Sequence, residues 1–282
     1  MQQRTLGPRT VGAIGLGAMP MSIEGRPDEA RSIATIHAAL DAGITLIDTA
    51  DAYHLEAGEV GHNERLIAKA LAEYGSPDVV VATKGGHLRP GDGSWTQDGS
   101  PAHLRDAARA SAERLGGQIG LYYYHRPDPA VPYADSIGAL AQLLDEGTIQ
   151  FAGVSNASVE QIQVAQRILG DRFIAVQNQF SPSHLSTIAE MEYCAQVGLA
   201  FLPWSPLGGI RGASALGGRH TAFQEVADSH GVSPQQVALA WELALAAVVI
   251  PIPGASRPES IVDSAKAADL VLSSDDLVKL QA

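Results

Sequence analysis

The chain has one cysteine in 282 residues, Cys194, which rules out an intrachain disulfide and any cysteine-built metal cluster. It lies in the apolar stretch Met191 to Val197, where a buried structural thiol is expected. Basic residues are scarce as well. Nineteen Lys and Arg against 31 Asp and Glu leave a net charge of −12. No basic tract offsets it, so nucleic acid is not an expected partner. Long apolar runs are also missing: the most apolar stretch, Val237 to Ile252, is interrupted by Glu242 and ends at Pro251. That is too short and broken to span a bilayer, so no membrane partner is expected. The opening residues Met1-Gln2-Gln3-Arg4-Thr5 lead into no apolar segment of the secretory kind, and a cytoplasmic location is the expectation.

What is present is a repeating unit of a short β-type run, a turn and a longer amphipathic segment. Strands are predicted at Ala13–Gly17, Thr45–Asp48, Val79–Thr83, Gly120–Tyr124, Phe151–Val154, Ala175–Gln179, Leu199–Trp204 and Val248–Ile252. Helical periods alternate with them at Asp28–Asp41, Asn63–Tyr74, Pro101–Leu115, Asp135–Asp145, Val159–Leu169, Leu185–Gln196, Pro234–Ala246 and Pro258–Ala267. Pro27 stands where a first helical turn tolerates proline, Gly43 follows that helix, and Ser100, Ser158 and Ser233 offer N-terminal caps. Eight strands alternating with eight helices predict a closed (β/α)8 TIM barrel rather than an open doubly wound sheet. No linker divides the chain, so residues 1–282 read as a single domain. A turn within Arg4–Val11 predicts a short N-terminal β-hairpin capping the barrel bottom. Glycine-rich segments, Gly85–Gly99 and Gly208–Gly218, follow strands three and seven, where barrels keep their binding surfaces.

In such a barrel a polar residue at the C-terminal end of a strand faces the mouth. Those ends read Asp48, Lys84, His125, Ser155-Asn156, Gln177 and Trp204-Ser205, with Tyr53 five residues past Asp48. Each has an ordinary alternative. Asp48 suits a helix cap, Tyr53 a packing role, Lys84 a solvated strand end and His125 a structural histidine. Four such residues on one rim argue for more than accident. A phenol titrates near 10 and is a poor donor at neutral pH, but a neighbouring ammonium stabilises its phenolate. A carboxylate beside the lysine keeps it charged, and an imidazole can orient a carbonyl oxygen. Nothing in the set supplies a hydride, so redox chemistry requires a bound cofactor. No His-x-His pair or acid cluster sits at the strand ends, so no metal is expected.

Several segments, in order and at compatible spacing, carry a family resemblance. They are Gly15-Leu16-Gly17-Ala18-Met19, the run Asp41 to Tyr53, Asn63-Glu64, Ala82-Thr83-Lys84, Tyr124-His125-Arg126-Pro127-Asp128, Gly153-Val154-Ser155-Asn156, Gln177-Asn178, Trp204 to Gly209 and Ile252-Pro253-Gly254. Through them the chain resembles the aldo-keto reductase superfamily over essentially its whole length. The resemblance implies a tetrad of Asp48, Tyr53, Lys84 and His125 and an extended nicotinamide cofactor across the barrel top. Ser155, Asn156 and Gln177 would hold its carboxamide and Trp204 would stack on its ring, with Ser205, Leu207 and Gly208 in the adjoining loop. Gly254, Ser256 and Arg257 would meet its phosphate end. Arg257 would grip a 2′-phosphate, which favours NADPH, with NADH as the alternative. Two departures stand at that end: Gly254 replaces a lysine of some relatives, and Ser264 an asparagine.

The segment Gly93 to Pro101 resembles bacterial, pyridoxal-reductase-like members and places Trp95 near the substrate. His54 and His87 near the mouth are either substrate contacts or solvated loop residues. The tail carries no aromatic residue after Trp241, which predicts an open pocket. The expected function is reduction of a small-molecule aldehyde or ketone to an alcohol (alcohol dehydrogenase type, EC 1.1.1), with Tyr53 as proton donor. The alternatives are a cofactor-binding regulatory or accessory subunit with little turnover and, less favoured, a Schiff-base aldolase using Lys84.

Overall fold

The computed structural model describes residues 1–280; the last two residues of the predicted domain lie outside the described residues. Seven parallel strands form one curled sheet: β1 (Leu16–Gly17), β2 (Leu46–Asp48), β3 (Val80–Gly85), β4 (Ile119–Tyr124), β5 (Ile149–Ser155), β6 (Phe173–Gln177) and β7 (Ala200–Phe201). Each pairs with its sequence neighbour, as short crossovers through helices require. The helices are α1 (Glu29–Asp41), α2 (His62–Tyr74), α3 (Pro101–Leu115), α4 (Tyr133–Asp145), α5 (Val159–Leu169), α6 (Ile188–Val197), α7 (Ile210–Ala213), α8 (Leu216–Arg219), α9 (Thr221–His230), α10 (Pro234–Leu245), α11 (Pro258–Lys266) and α12 (Ser274–Leu280).

The predicted eighth strand closes the barrel without becoming a regular strand. On one side Ile250 N donates to Phe201 O at 2.9 Å and Ile252 N to Pro203 O at 3.2 Å. On the other, the carbonyls of Pro251 and Pro253 accept from Gly15 N at 2.9 Å and Gly17 N at 3.0 Å. The prolines occupy the positions whose N–H groups would face β1, so there the ladder rests on their carbonyls until Ala255 N donates back to Gly17 O at 3.3 Å. The fold is a (β/α)8 barrel.

The N-terminal hairpin, Gln3–Leu6 against Arg9–Gly12, plugs the bottom. Leu6 and Val11 are fully buried with Leu46, Leu121, Tyr123 and Ile250 in the barrel interior. Its turn residue Gly7 has φ +58°, and a Cβ there would lie 2.6 Å from Ile174 Cγ2, so only glycine fits. The second apolar layer lies between strands and helices. Tyr123 points inward while Tyr122 and Tyr124 point outward, the two-residue alternation of a strand. Gly153 on β5 makes room for Tyr123, whose Cε1 would sit 2.4 Å from any Cβ.

The caps agree with the sequence at Ser100, Ser158 and Ser233, each accepting from the third backbone N–H of its helix. At α1 the cap is Asp28, whose side chain accepts from Arg31 N, so Pro27 lies outside the first turn. Helices α7, α8, α9 and α12 and the small hairpin His87–Leu88 with Thr96–Gln97 were not anticipated.

Candidate active site

The strand ends gather four polar side chains. Asp48 is the last residue of β2, Lys84 lies near the end of β3, and His125 directly follows β4; Tyr53 reaches in from the loop after β2. Lys84 is completely buried, and Asp48, Tyr53 and His125 nearly so. The Lys84 ammonium donates to Asp48 Oδ1 at 2.5 Å, to the Thr49 carbonyl at 2.8 Å and to the Tyr53 hydroxyl at 3.1 Å. All three of its protons thus have acceptors, which a buried lysine needs in order to stay charged. Gln177 at the end of β6 donates to Asp48 Oδ2 at 2.7 Å and fixes the second carboxylate oxygen. The His125 ring meets the Tyr53 ring edge-on, 5.9 Å between centroids.

Burial opposes the Lys84 charge, yet Asp48 and Tyr53 beside it hold its pKa above the ordinary lysine value. Burial raises the Tyr53 phenol, and Lys84 pulls it back only in part. The ammonium therefore acts in the expected sense, but the net direction is upward, and Tyr53 is a neutral phenol at neutral pH. Burial, then the charge of Lys84, the neighbouring His87 ring and the charge of Arg126, lower the His125 imidazole well below its usual range. It is neutral, with one donor and one acceptor nitrogen. His87 behaves alike: burial and Arg126 bring it down to about 4.

Asp48, Tyr53 and His125 line the floor of a cleft of about 1240 Å³ across the barrel top, with Lys84 buried behind them. Ser155, Asn156, Gln177, Trp204, Ser205, Leu207, Gly254, Ser256 and Arg257 all line it, as do Trp95 and His87. Asn156 and Ser205 have φ of +59° and +52°, two of three such non-glycine residues among those described. Left-handed backbone at a cleft wall is what a built site tends to show. The Asn156 amide donates to the His125 carbonyl at 3.0 Å and accepts from Trp204 Nε1 at 3.2 Å. It thereby ties the floor to the indole. Gly208 lies behind the wall, in a turn with Ser205, and Gly209 takes its place on the lining.

His54 also stands behind the wall. It is buried, its Nδ1 bonds the Glu56 carbonyl at 2.7 Å and its own carbonyl accepts from Arg89 at 2.6 Å. Arg89 was passed over by sequence reading, yet it clasps three loops at the mouth. Besides His54 it pairs with Glu24 and lies 4.9 Å from the Trp95 ring. Trp95 in turn stacks on His87, 4.7 Å between centroids. Arg126 and Glu24 are further lining residues that no strand-end rule selects. Both lie outside the two glycine-rich segments, Glu24 in the loop after the first strand and Arg126 in the loop after the fourth.

Among the described residues no group of His, Cys, Asp and Glu is arranged to hold a metal ion, and no helix is long and apolar enough to cross a membrane. A sequence model of the aldo/keto reductase family matches residues 13–282. An uncharacterized oxidoreductase of Schizosaccharomyces pombe is 36% identical over 280 residues, 98% of this chain and 87% of that protein. Pyridoxine 4-dehydrogenase of Escherichia coli is 31% identical over 98% of this chain and 96% of its own length. A solved aldo/keto reductase from Klebsiella pneumoniae, in complex with NADP and acetate, superposes with a TM-score of 0.83 at 26% identity. It covers 99% of this chain and 94% of that one.

Proposed function

The chain belongs to the aldo/keto reductase family, and from that premise we propose that it is an NADPH-dependent oxidoreductase that reduces an aldehyde or ketone to an alcohol. The observation that carries the reading is the buried line from Asp48 through Lys84 to Tyr53, with spacings of 2.5 and 3.1 Å, at the floor of the cleft.

The residues present fit an extended dinucleotide. At one end of the cleft Gln177, Ser155 and Asn156 offer amide and hydroxyl groups beside the Trp204 indole. At the other, α11 begins at Pro258 with no side-chain cap, beside the exposed Arg257. An uncapped helix start with a guanidinium next to it suits phosphate. This is the ground for preferring NADPH to NADH. When bound, the cofactor supplies the hydride for the carbonyl carbon.

Every other part falls to the protein. Tyr53, held protonated by burial, donates its phenolic proton to the carbonyl oxygen as that oxygen gains charge. Lys84 faces the resulting phenolate at hydrogen-bond distance and stabilises it. Asp48 and Gln177 fix the ammonium and contribute no proton. Neutral His125 donates a hydrogen bond that aims the carbonyl at Tyr53. Trp95 and His87 form a flat wall against which the substrate body packs.

The test is NADPH oxidation with 4-nitrobenzaldehyde. Tyr53→Phe keeps the ring and removes the proton, so turnover drops roughly 10²–10⁴-fold while NADPH binding persists. Unchanged turnover would remove Tyr53 from its role. Tight NADPH binding without turnover across a broad carbonyl panel would replace the enzyme reading with that of a cofactor-binding regulatory subunit.

A further inference from the structure

We propose that Arg126 is the specificity-determining residue of the substrate half of the cleft, and that it receives a carboxylate or phosphate group carried by the carbonyl substrate. The proposal rests on the carbonyl-reductase reading and names its substrate class.

The charges lining that half cancel with one exception. Lys84 is neutralised by Asp48 and Glu24 by Arg89. His87 and His125 are both held neutral. Arg126 lines the cleft, yet among the described residues no carboxylate lies within ion-pair distance of it. Its Nε is buried without a hydrogen-bond partner. A guanidinium cannot shed its charge, so this fork on the cleft wall, with no carboxylate beside it, is a standing receptor for a two-oxygen anion. The net charge of −12 leaves ample acid elsewhere to have paired it.

The backbone on both sides of Arg126 is pinned. His125 N donates to the Gly85 carbonyl at 3.0 Å, and the His125 carbonyl accepts from Asn156. Two residues on, Asp128 N donates to the Tyr124 hydroxyl at 2.7 Å, and the Asp128 carboxylate accepts from Gly99 N at 2.9 Å. The fork is therefore presented from a fixed turn one residue after His125, which touches the reacting carbonyl. Its charge already reaches that site, since it lowers both histidines. Among the described residues Arg257 is the other cleft-lining arginine without an ion-pair partner, and it stands beside α11 at the phosphate end of the cofactor site. The two guanidinia divide the cleft into a cofactor anchor and a substrate anchor.

The experiment compares matched aldehydes at saturating NADPH: 4-carboxybenzaldehyde with its neutral methyl ester, and glyceraldehyde 3-phosphate with glyceraldehyde. Wild type prefers the anionic member of at least one pair, and which pair identifies carboxylate or phosphate as the preferred group. Arg126→Met lowers kcat/KM for that anion about 10–100-fold, mainly through KM, while the neutral partner changes less than about threefold. Arg126→Lys, which keeps charge but loses the fork, falls between. Equal losses on both members of each pair, or no anionic preference in wild type, would overturn the proposal. So would a parallel weakening of NADPH binding, which would give Arg126 to the cofactor. Benzoate and inorganic phosphate titrations, read by tryptophan fluorescence, report the site without turnover. If no aldehyde is reduced but anion binding vanishes in Arg126→Met, the reductase reading falls and the anion site stands. If wild type binds neither anion, the site falls.

Discussion

Asp48 and Glu242 are both buried acidic side chains, and the two regions of the barrel that hold them treat them differently. At the rim, Asp48 has a lysine on one carboxylate oxygen and Gln177 on the other. In α10, Glu242 lies fully buried among Val237, Ala238, Leu239, Trp241 and Leu243, and neither of its oxygens has a hydrogen-bond partner. Burial alone pushes the Glu242 carboxyl well above the usual carboxylate range, so it is carried neutral. Burial raises the Asp48 carboxyl as well, but Lys84 and Gln177 pull it back in part, and the pairing positions Lys84 against Tyr53. Glu242 serves no group that the structure brings to it. A buried acid is thus evidence of chemistry only together with its partners.

The largest way to break this contrast is to make Asp48 resemble Glu242. Lys84→Met leaves the Asp48 carboxylate buried with one partner removed. We expect a loss of about 3–5 kcal/mol in urea unfolding, and a fall in kcat/KM of at least about 10²-fold. Adding Asp48→Asn to Lys84→Met restores much of the stability and none of the activity. Unfolding curves and turnover on the same preparations separate the two effects. Equal stability of wild type and Lys84→Met would show that the pair matters for catalysis alone.

The converse change makes α10 ordinary. Glu242→Leu replaces two unsatisfied oxygens by methyl groups in an apolar setting, with an expected gain of about 1–3 kcal/mol. The gain depends on pH. Because the folded pKa is raised, the native state keeps a proton that the unfolded chain releases above its ordinary value near 4.5. Wild-type stability therefore falls as pH rises from there towards the folded pKa, by at most about 1.4 kcal/mol per pH unit from this group. The advantage of Glu242→Leu should widen between pH 5 and 8, roughly, and level off below about pH 4 at the cost of a neutral carboxyl without hydrogen bonds. A pH-independent advantage would mean that Glu242 is ionised and has a partner.

How far the sequence shows these differences depends on the kind of signal. Asp48, Lys84, His125 and Gln177 were legible because strand ends in a barrel have one destination, whatever the loops do. The hairpin was legible from its turn. The closing strand was legible in place but not in form, since Pro251 and Pro253 act only through which neighbour each position faces. Helix α9 repeats its apolar residues at Phe223, Val226 and Ala227, but lasts ten residues and starts without a side-chain cap. That leaves little for a periodicity reading to hold. Arg126 and Arg89 are two arginines in mouth loops with the same sequence appearance. Only coordinates show one clasped by Glu24 and the His54 carbonyl and the other, among the described residues, without an ion-pair partner.

The smallest expected effect sharpens the comparison from a third side. Glu24 and Arg89 also form an ion pair, with Arg89 buried but Glu24 about two-thirds exposed. Water already solvates that carboxylate, so pairing returns little of the free energy that the buried Asp48 pair holds. Glu24→Gln keeps an oxygen that can accept from Arg89 and removes only the charge. The expected stability change is under about 1 kcal/mol, a shift of no more than roughly 2–4 °C in Tm for a chain of this size. Arg89 keeps its bond to the His54 carbonyl and its place over Trp95, so the loops stay clasped. A loss as large as that of Lys84→Met would mean that the exposed pair is worth as much as the buried one. Burial would then cease to explain why Asp48, Glu24 and Glu242 differ.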